Sequence, residues 1–156
     1  DRAAEPAALA VWANAALSYM APQISDGPRS IRADSFFKGV MIPTVIDEDK
    51  EAGKAIHKRT LQGYLSLPNY RNYWRAAGYN SQMDAVEAEI SGGGGSSLAE
   101  VVGDDWLADV TLFGSASDVR EGTEAWFAEG ITPILVPSST SGGQVKAAQE
   151  VFAAFK

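Results

Sequence analysis

The chain has 156 residues, 46% of them hydrophobic, with 13 basic and 20 acidic side chains and a formal net charge of -7. That length and composition suit one folded domain over residues 1–156 and exclude a disordered chain. The acid excess argues against a nucleic-acid groove, and the absence of cysteine excludes disulfides and thiolate metal sites. No apolar run reaches the roughly 20 residues of a membrane span, and the N-terminus lacks the order of a signal peptide, so a cytoplasmic location is expected. The chain opens at Asp1 without an initiator Met, which leaves its completeness open.

Residues 8–20 place Leu9, Trp12, Ala13, Ala16, Leu17 and Met20 at helical spacing, with Pro6 suited to a first turn, and predict an amphipathic helix ended by Ala21-Pro22. Ser25-Asp26-Gly27-Pro28 is turn chemistry. The run 36–46 is nearly continuous in apolar residues, as in a strand covered on both faces, although Pro43 lies inside it.

Asp47-Glu48-Asp49 places acids where a helix N-terminus favours them. The following helix carries a stripe of Ala52, Ile56, Thr60, Tyr64 and Leu67, widened by Leu61 and Leu65. After Pro68, a second helix over 69–77 holds Tyr70, Tyr73 and Trp74, and Gly78 ends it. A third, 81–90, opens with Ser81 to Asp84 as a capping box. Residues 91–97, Gly92 to Gly95 flanked by serines, read as a flexible linker.

Residues 98–110 predict one or two short helical turns. Ser115 caps a helix striped by Val119, Gly122, Thr123, Trp126 and Phe127, and Gly130 stops it. Residues 131–136 form a second short buried strand. A polar loop of small residues ends at Gly143, and a last helix, 144–155, is expected to pack Val145, Ala148, Phe152 and Phe155. Strands separated by helices indicate parallel pairing in an α/β architecture, yet two strands alone make no stable sheet.

The loop Ser138, Ser139, Thr140, Ser141, Gly142, Gly143 is the most chemical stretch. It lies where a parallel strand ends and a helix begins, the usual ligand position in α/β proteins. Its glycines admit close backbone approach, and its hydroxyls with the free N–H groups of a helix start can hold a phosphate. The same residue types also make ordinary loops and caps.

Three blocks carry a family resemblance. Residues 65–74, Leu-Ser-Leu-Pro-Asn-Tyr-Arg-Asn-Tyr-Trp, with Ala77-Gly78-Tyr79, form the first. Asp105-Trp106-Leu107 with Val110 to Ser115 form the second, and Thr132 to Gln144 the third. In this order they resemble the bacterial luciferase-like family of flavin- or deazaflavin-dependent oxidoreductases and monooxygenases, over about Phe36 to Phe155. The resemblance implies a helix-rich α/β fold, the C-terminal portion of a (β/α)₈ TIM barrel, with 36–46 and 131–136 as its last two strands. A full barrel typically takes about 250 residues, so it further implies a truncated form or fragment. The implied cofactor is FMN or the deazaflavin coenzyme F420. Its phosphate would lie at Ser138 to Gly143, near the loops after the last strands, with Val136 and Pro137 shaping the strand exit. No residue matches a catalytic motif.

The rival reading is a non-catalytic domain that self-associates, as a dimer, through unpaired strand edges and the aromatic helix surface, with no cofactor. A dimer is expected under either reading. The lone His57 cannot build a metal site or triad and reads as an exposed helix residue. Tyr70, Arg71, Tyr73 and Trp74 can stack on a ring, but their spacing favours core or interface packing. Asp47 to Asp49 and Asp104-Asp105 read as helix-dipole partners, so no metal is expected. Gly92 to Gly95 lacks the strand and lysine of a nucleotide fingerprint.

Overall fold

The computed structural model describes residues 9–26, 37–93 and 98–156. All four strands run parallel, and the long one, β2 (Phe37–Ile46), is their hub. β1 (Leu9–Ala13) pairs with its first half, from Leu9 opposite Phe37 to Ala13 opposite Met41. β3 (Leu112–Gly114) pairs with its end, from Thr44 to Ile46. β4 (Thr132–Ser138) pairs along Gly39 to Val45. It is not the buried strand expected at 131–136, since Ile134 and Val136 are 37% and 40% exposed on a face that no described element covers. The β4 register overlaps both others, and one backbone edge holds one partner at a time. β1 and β3 therefore share one edge of β2, end to end, and β4 takes the other.

This arrangement explains the proline inside a central strand. Backbone groups alternate between edges along a strand, and the Met41 carbonyl accepts from Asn14 N at 3.1 Å, on the β1 side. Asp47 N, six residues on, bonds the Gly114 carbonyl after β3. Pro43 faces the same edge, at the gap after β1 has ended and before β3 begins. Its missing N–H is not needed there.

The helices are α1 (Leu17–Asp26), α2 (Lys50–Leu65), α3 (Pro68–Ala76), α4 (Asn80–Ser91), α5 (Asp104–Val110), α6 (Ala116–Ala128) and α7 (Gln144–Ala154), with a 3₁₀ turn at Leu98–Glu100. One face of the sheet, carrying Val40 and Ile42, is sealed by α1 and α6 through Met20, Ile24, Val119 and Trp126. A second core unites α2 to α5 around Leu61, Leu65, Trp74, Met83, Trp106 and Leu107. Trp74 and Trp106 meet edge to face at 4.9 Å between ring centres.

Several expectations are corrected. Residues 9–13 are a strand, not the start of a helix. A short apolar run fits either period, and pairing with β2 decides it. Asn14, at φ +52°, breaks the strand, and α1 begins only at Leu17 with Pro22 inside it, so Ala21-Pro22 is no stop. Pro6, Gly27 and Pro28 lie outside the described residues, as does Phe36.

β3 is a further strand missed because it has only three residues. The α2 stripe is turned by one residue, to Gly53, His57, Leu61 and Leu65, because Gly53 lets the helix lie on Phe113, 3.3 Å from where a Cβ would stand. Tyr79, not Ser81, occupies the α4 N-cap, and Asp84 instead pairs with Arg75 at 2.5 Å. Of the linker, residues 91–93 finish α4 and its turn, and 94–97 lie outside the described residues.

The last helix differs most. Val145, Phe152 and Phe155 are 75%, 72% and 45% exposed, and the residues α7 buries are Ala147 and Ala154. Small residues permit a close approach, so the helix settles on its alanines. The cap at Ser115 forms as expected, a capping box with Asp118, and Gly130 takes φ +70° past the end of α6.

Candidate functional site

The loop after β4 stands at the C-terminal end of the sheet. β4 delivers Ser138, its last residue, opposite Val45, and Gly143 occupies the N-cap of α7 without any side-chain cap. The first N–H groups of α7 are therefore not satisfied by a capping side chain, and they carry the positive end of the helix dipole.

The hydroxyls between are already engaged. Ser139 Oγ donates to Glu150 Oε1 at 3.1 Å and accepts from Ser141 N at 3.3 Å. Thr140 Oγ1 donates to Asp47 Oδ2, which reaches in from beyond β2, and Lys146 Nζ donates to Ser141 Oγ. Lys146 also stands 3.8 Å from Glu150. The Thr140 hydroxyl, then the Asp49 backbone N–H, hold the Asp47 carboxyl below the ordinary aspartate range. Glu150 Oε2 is buried with no hydrogen-bond partner among the described residues.

Gly142 is sterically required, since a Cβ would stand 2.7 Å from Lys146 Cδ and 2.8 Å from its Cβ. Gly143 meets nothing within 4 Å. The loop is thus drawn together with two acids and one base that sequence reasoning did not attach to it. Lys146 was visible as the cation in the first turn of the final helix. Asp47 was visible only as part of an acidic run, where its pairing partner could not be read.

The other weighed residues have structural roles. His57 is 1% exposed, not an exposed helix residue. Its Nε2 stands 3.0 Å from the Leu112 carbonyl, and because a carbonyl only accepts, Nε2 carries the proton. Burial pushes its pKa down to about 4. Trp74 is core, with Nε1 donating to the Asn14 carbonyl at 3.2 Å. Arg71 is held by Glu87 at 3.2 Å and by the Leu65 carbonyl at 2.8 Å, and Tyr70 and Tyr73 pack on the helical core. Asp49 caps α2 by accepting from Glu51 and Ala52, and Asp104 pairs with Lys54 at 2.5 Å. Among the described residues no group of three metal-ligating side chains gathers, and no helix is long and apolar enough to cross a membrane.

No family model matches the sequence, and no curated relative matches it. Among solved structures, the chain is similar to the coenzyme F420-dependent tetrahydromethanopterin reductase of Methanopyrus kandleri, with a TM-score of 0.61 at 18% identity. The match covers 90% of this chain and 42% of that one, so the chain spans less than half the length of the enzyme it matches. At this identity the likeness establishes the fold: a helix-rich α/β arrangement with a parallel sheet, shared with part of an F420-dependent reductase.

Proposed function

We propose that the chain forms the cofactor-phosphate side of a luciferase-like oxidoreductase that uses FMN or the deazaflavin coenzyme F420. The observation that carries this reading is the uncapped N-terminus of α7, opened by a loop of small residues at the end of a parallel strand, with Lys146 beside it. A phosphate there would take the first N–H groups of α7 and the Lys146 ammonium, and would draw Ser139 and Thr140 away from Glu150 and Asp47. Those two carboxylates oppose a dianion, so a phosphate fits there only with the serine and threonine hydroxyls turned away from the acids and towards the anion. When bound, the flavin supplies the redox chemistry. This chain's residues anchor the phosphate and orient the ring over the strand ends.

The test adds FMN, and separately coenzyme F420, to the purified chain, desalts it, and reads the visible spectrum that stays with the protein. Retention should be present with one of them and lost in Lys146→Glu or in Ser139→Glu/Ser141→Glu. Absence of retention with both cofactors overturns the reading.

A second reading draws on a different observation. Phe127, Phe152 and Phe155, with Pro133, Leu135 and Val151, surround an apolar groove of about 540 Å³ beside α6 and α7. A second copy covering this groove would make the chain a self-associating domain without a cofactor. The outer edge of β4 contributes little to such pairing. Its outward backbone positions are 133, 135 and 137, and prolines fill two of the three.

A further inference from the structure

The last helix is amphipathic on two faces. α7 rests on the fold through Ala147 and Ala154, while Val145, Ala148, Phe152 and Phe155 form a second stripe, spaced three, four and three residues apart. That spacing is the seam along which one helix packs against another. The described residues leave it open: Val145 and Phe152 are 75% and 72% exposed, and Phe155 is 45% exposed.

The charges of α7 avoid this stripe. Glu150, the only acid of the helix, lies on the opposite side, where it takes the Ser139 hydroxyl. Lys146 is drawn to Ser141 of the loop. Gln144, Gln149 and Lys156 flank the seam, and no carboxylate side chain of α7 does. In a chain of net charge -7, this helix face lets two copies approach without opposing acids.

The stripe is also complementary to itself. A second copy laid antiparallel on it, about a two-fold axis level with residue 150, sets Ala148 opposite the partner's Phe152 and Val145 opposite the partner's Phe155. Each Phe152 ring then enters the gap over an alanine, large against small. A parallel pair in register would instead set each ring against its own copy. An aromatic side chain can bury about 150–250 Å², so the open parts of the stripe amount to roughly 300–400 Å² of apolar surface per copy. With the flanking polar residues and the adjoining groove wall at Phe127, a pair approaches the roughly 1,200 Å² at the low end of stable interfaces.

We propose that α7 is a two-fold docking seam for a second copy of this chain, antiparallel and centred level with residue 150, with Phe152 of each copy seated over Ala148 of the other. The proposal rests on the self-association reading, to which it adds a register.

The test measures the sedimentation mass of the full chain across the micromolar range. The wild type should rise towards the dimer. Phe152→Ala, which empties the seat, and Ala148→Phe, which sets ring against ring, should each weaken association about tenfold or more. The double variant Ala148→Phe/Phe152→Ala exchanges ring and seat, and should restore association to within about threefold of the wild type. A seam held by apolar character alone would gain nothing from the exchange. Ala148 is half-buried, so a second readout avoids it. Gln149 stands one residue from the axis on the flank of the seam, and the chain has no cysteine of its own. Gln149→Cys should therefore cross-link copy to copy through a short bismaleimide, and Arg59→Cys, exposed on α2, should not. A wild-type monomer throughout would overturn this proposal and the self-association reading together. A dimer that a folded double exchange leaves weak, or that Gln149→Cys fails to link, would overturn the register alone.

Discussion

The helical excursion between β2 and β3 and the β4–α7 end of the chain differ in how far each covers its own apolar surface. In the excursion, Leu61, Leu65, Trp74, Met83, Val86 and Trp106 are fully buried, and the rim is closed by ion pairs from Lys54, Lys58, Arg71 and Arg75 to acids on neighbouring turns. At the other end, Phe127, Phe152 and Phe155 are 55%, 72% and 45% exposed, Ile134 and Val136 stand open on the sheet, and α7 is held mainly through two alanines. The excursion is a finished unit. The β4–α7 end presents apolar surface that nothing among the described residues covers.

The largest expected effect tests whether the excursion is a true core or a loose appendage. Trp74→Ala removes a fully buried indole, its edge-to-face contact with Trp106 and its bond to the Asn14 carbonyl. The expected loss is about 3–5 kcal/mol in urea unfolding. A loss below about 1 kcal/mol would mean that the excursion unfolds on its own and that the contrast between the regions is misplaced.

A pH dependence sharpens the same point at the join of excursion and sheet. His57 sits on α2 against the Leu112 carbonyl and the Phe113 ring, and burial lowers its pKa from 6.5 to about 4. The unfolded chain then binds the proton more readily than the folded one, so ΔG of unfolding rises with pH between these values. The contribution is fully present above about pH 6.5 and is lost as pH falls towards 4, amounting to about 3 kcal/mol. His57→Gln should flatten the slope of stability against pH in that window. An unchanged slope would show that other groups carry it.

The contrast also accounts for what was legible in the sequence. The excursion follows local rules: periodic apolar residues, a proline at a helix start, Gly78 at φ +100° after a helix end. Its helices, and the role of Trp74 in packing, could be read directly. The strands of β1 and β3 could not, because five and three residues carry too little period, and their state is set by pairing with β2 across 27 or more intervening positions. The face of α7 was misread because a stripe of Val145, Phe152 and Phe155 is ordinarily a buried one, and the alanines that do pack leave no comparable signal. The loop at Ser138 to Gly143 was singled out from its composition and its place after a strand. Its partners Asp47 and Glu150 were not, since a lone carboxylate signals nothing until the fold brings it near.

The smallest effect on stability bears most directly on the open end. Phe152 is 72% exposed and contributes little to the fold, so Phe152→Ser should alter unfolding stability by no more than about 0.5 kcal/mol. Its effect on association should be much larger if the groove at α6 and α7 is where copies meet. Sedimentation of the wild type across the micromolar range should then show a mass rising towards the dimer, and Phe152→Ser should return it towards the monomer. Phe127→Ser, on the other wall of the groove, should do the same. A monomer mass for the wild type throughout would remove the second reading. A dimer indifferent to both substitutions would move the interface to the exposed sheet face of Met41, Ile134 and Val136, the remaining large apolar surface on this side. In either event the excursion, already closed, should respond to none of these changes.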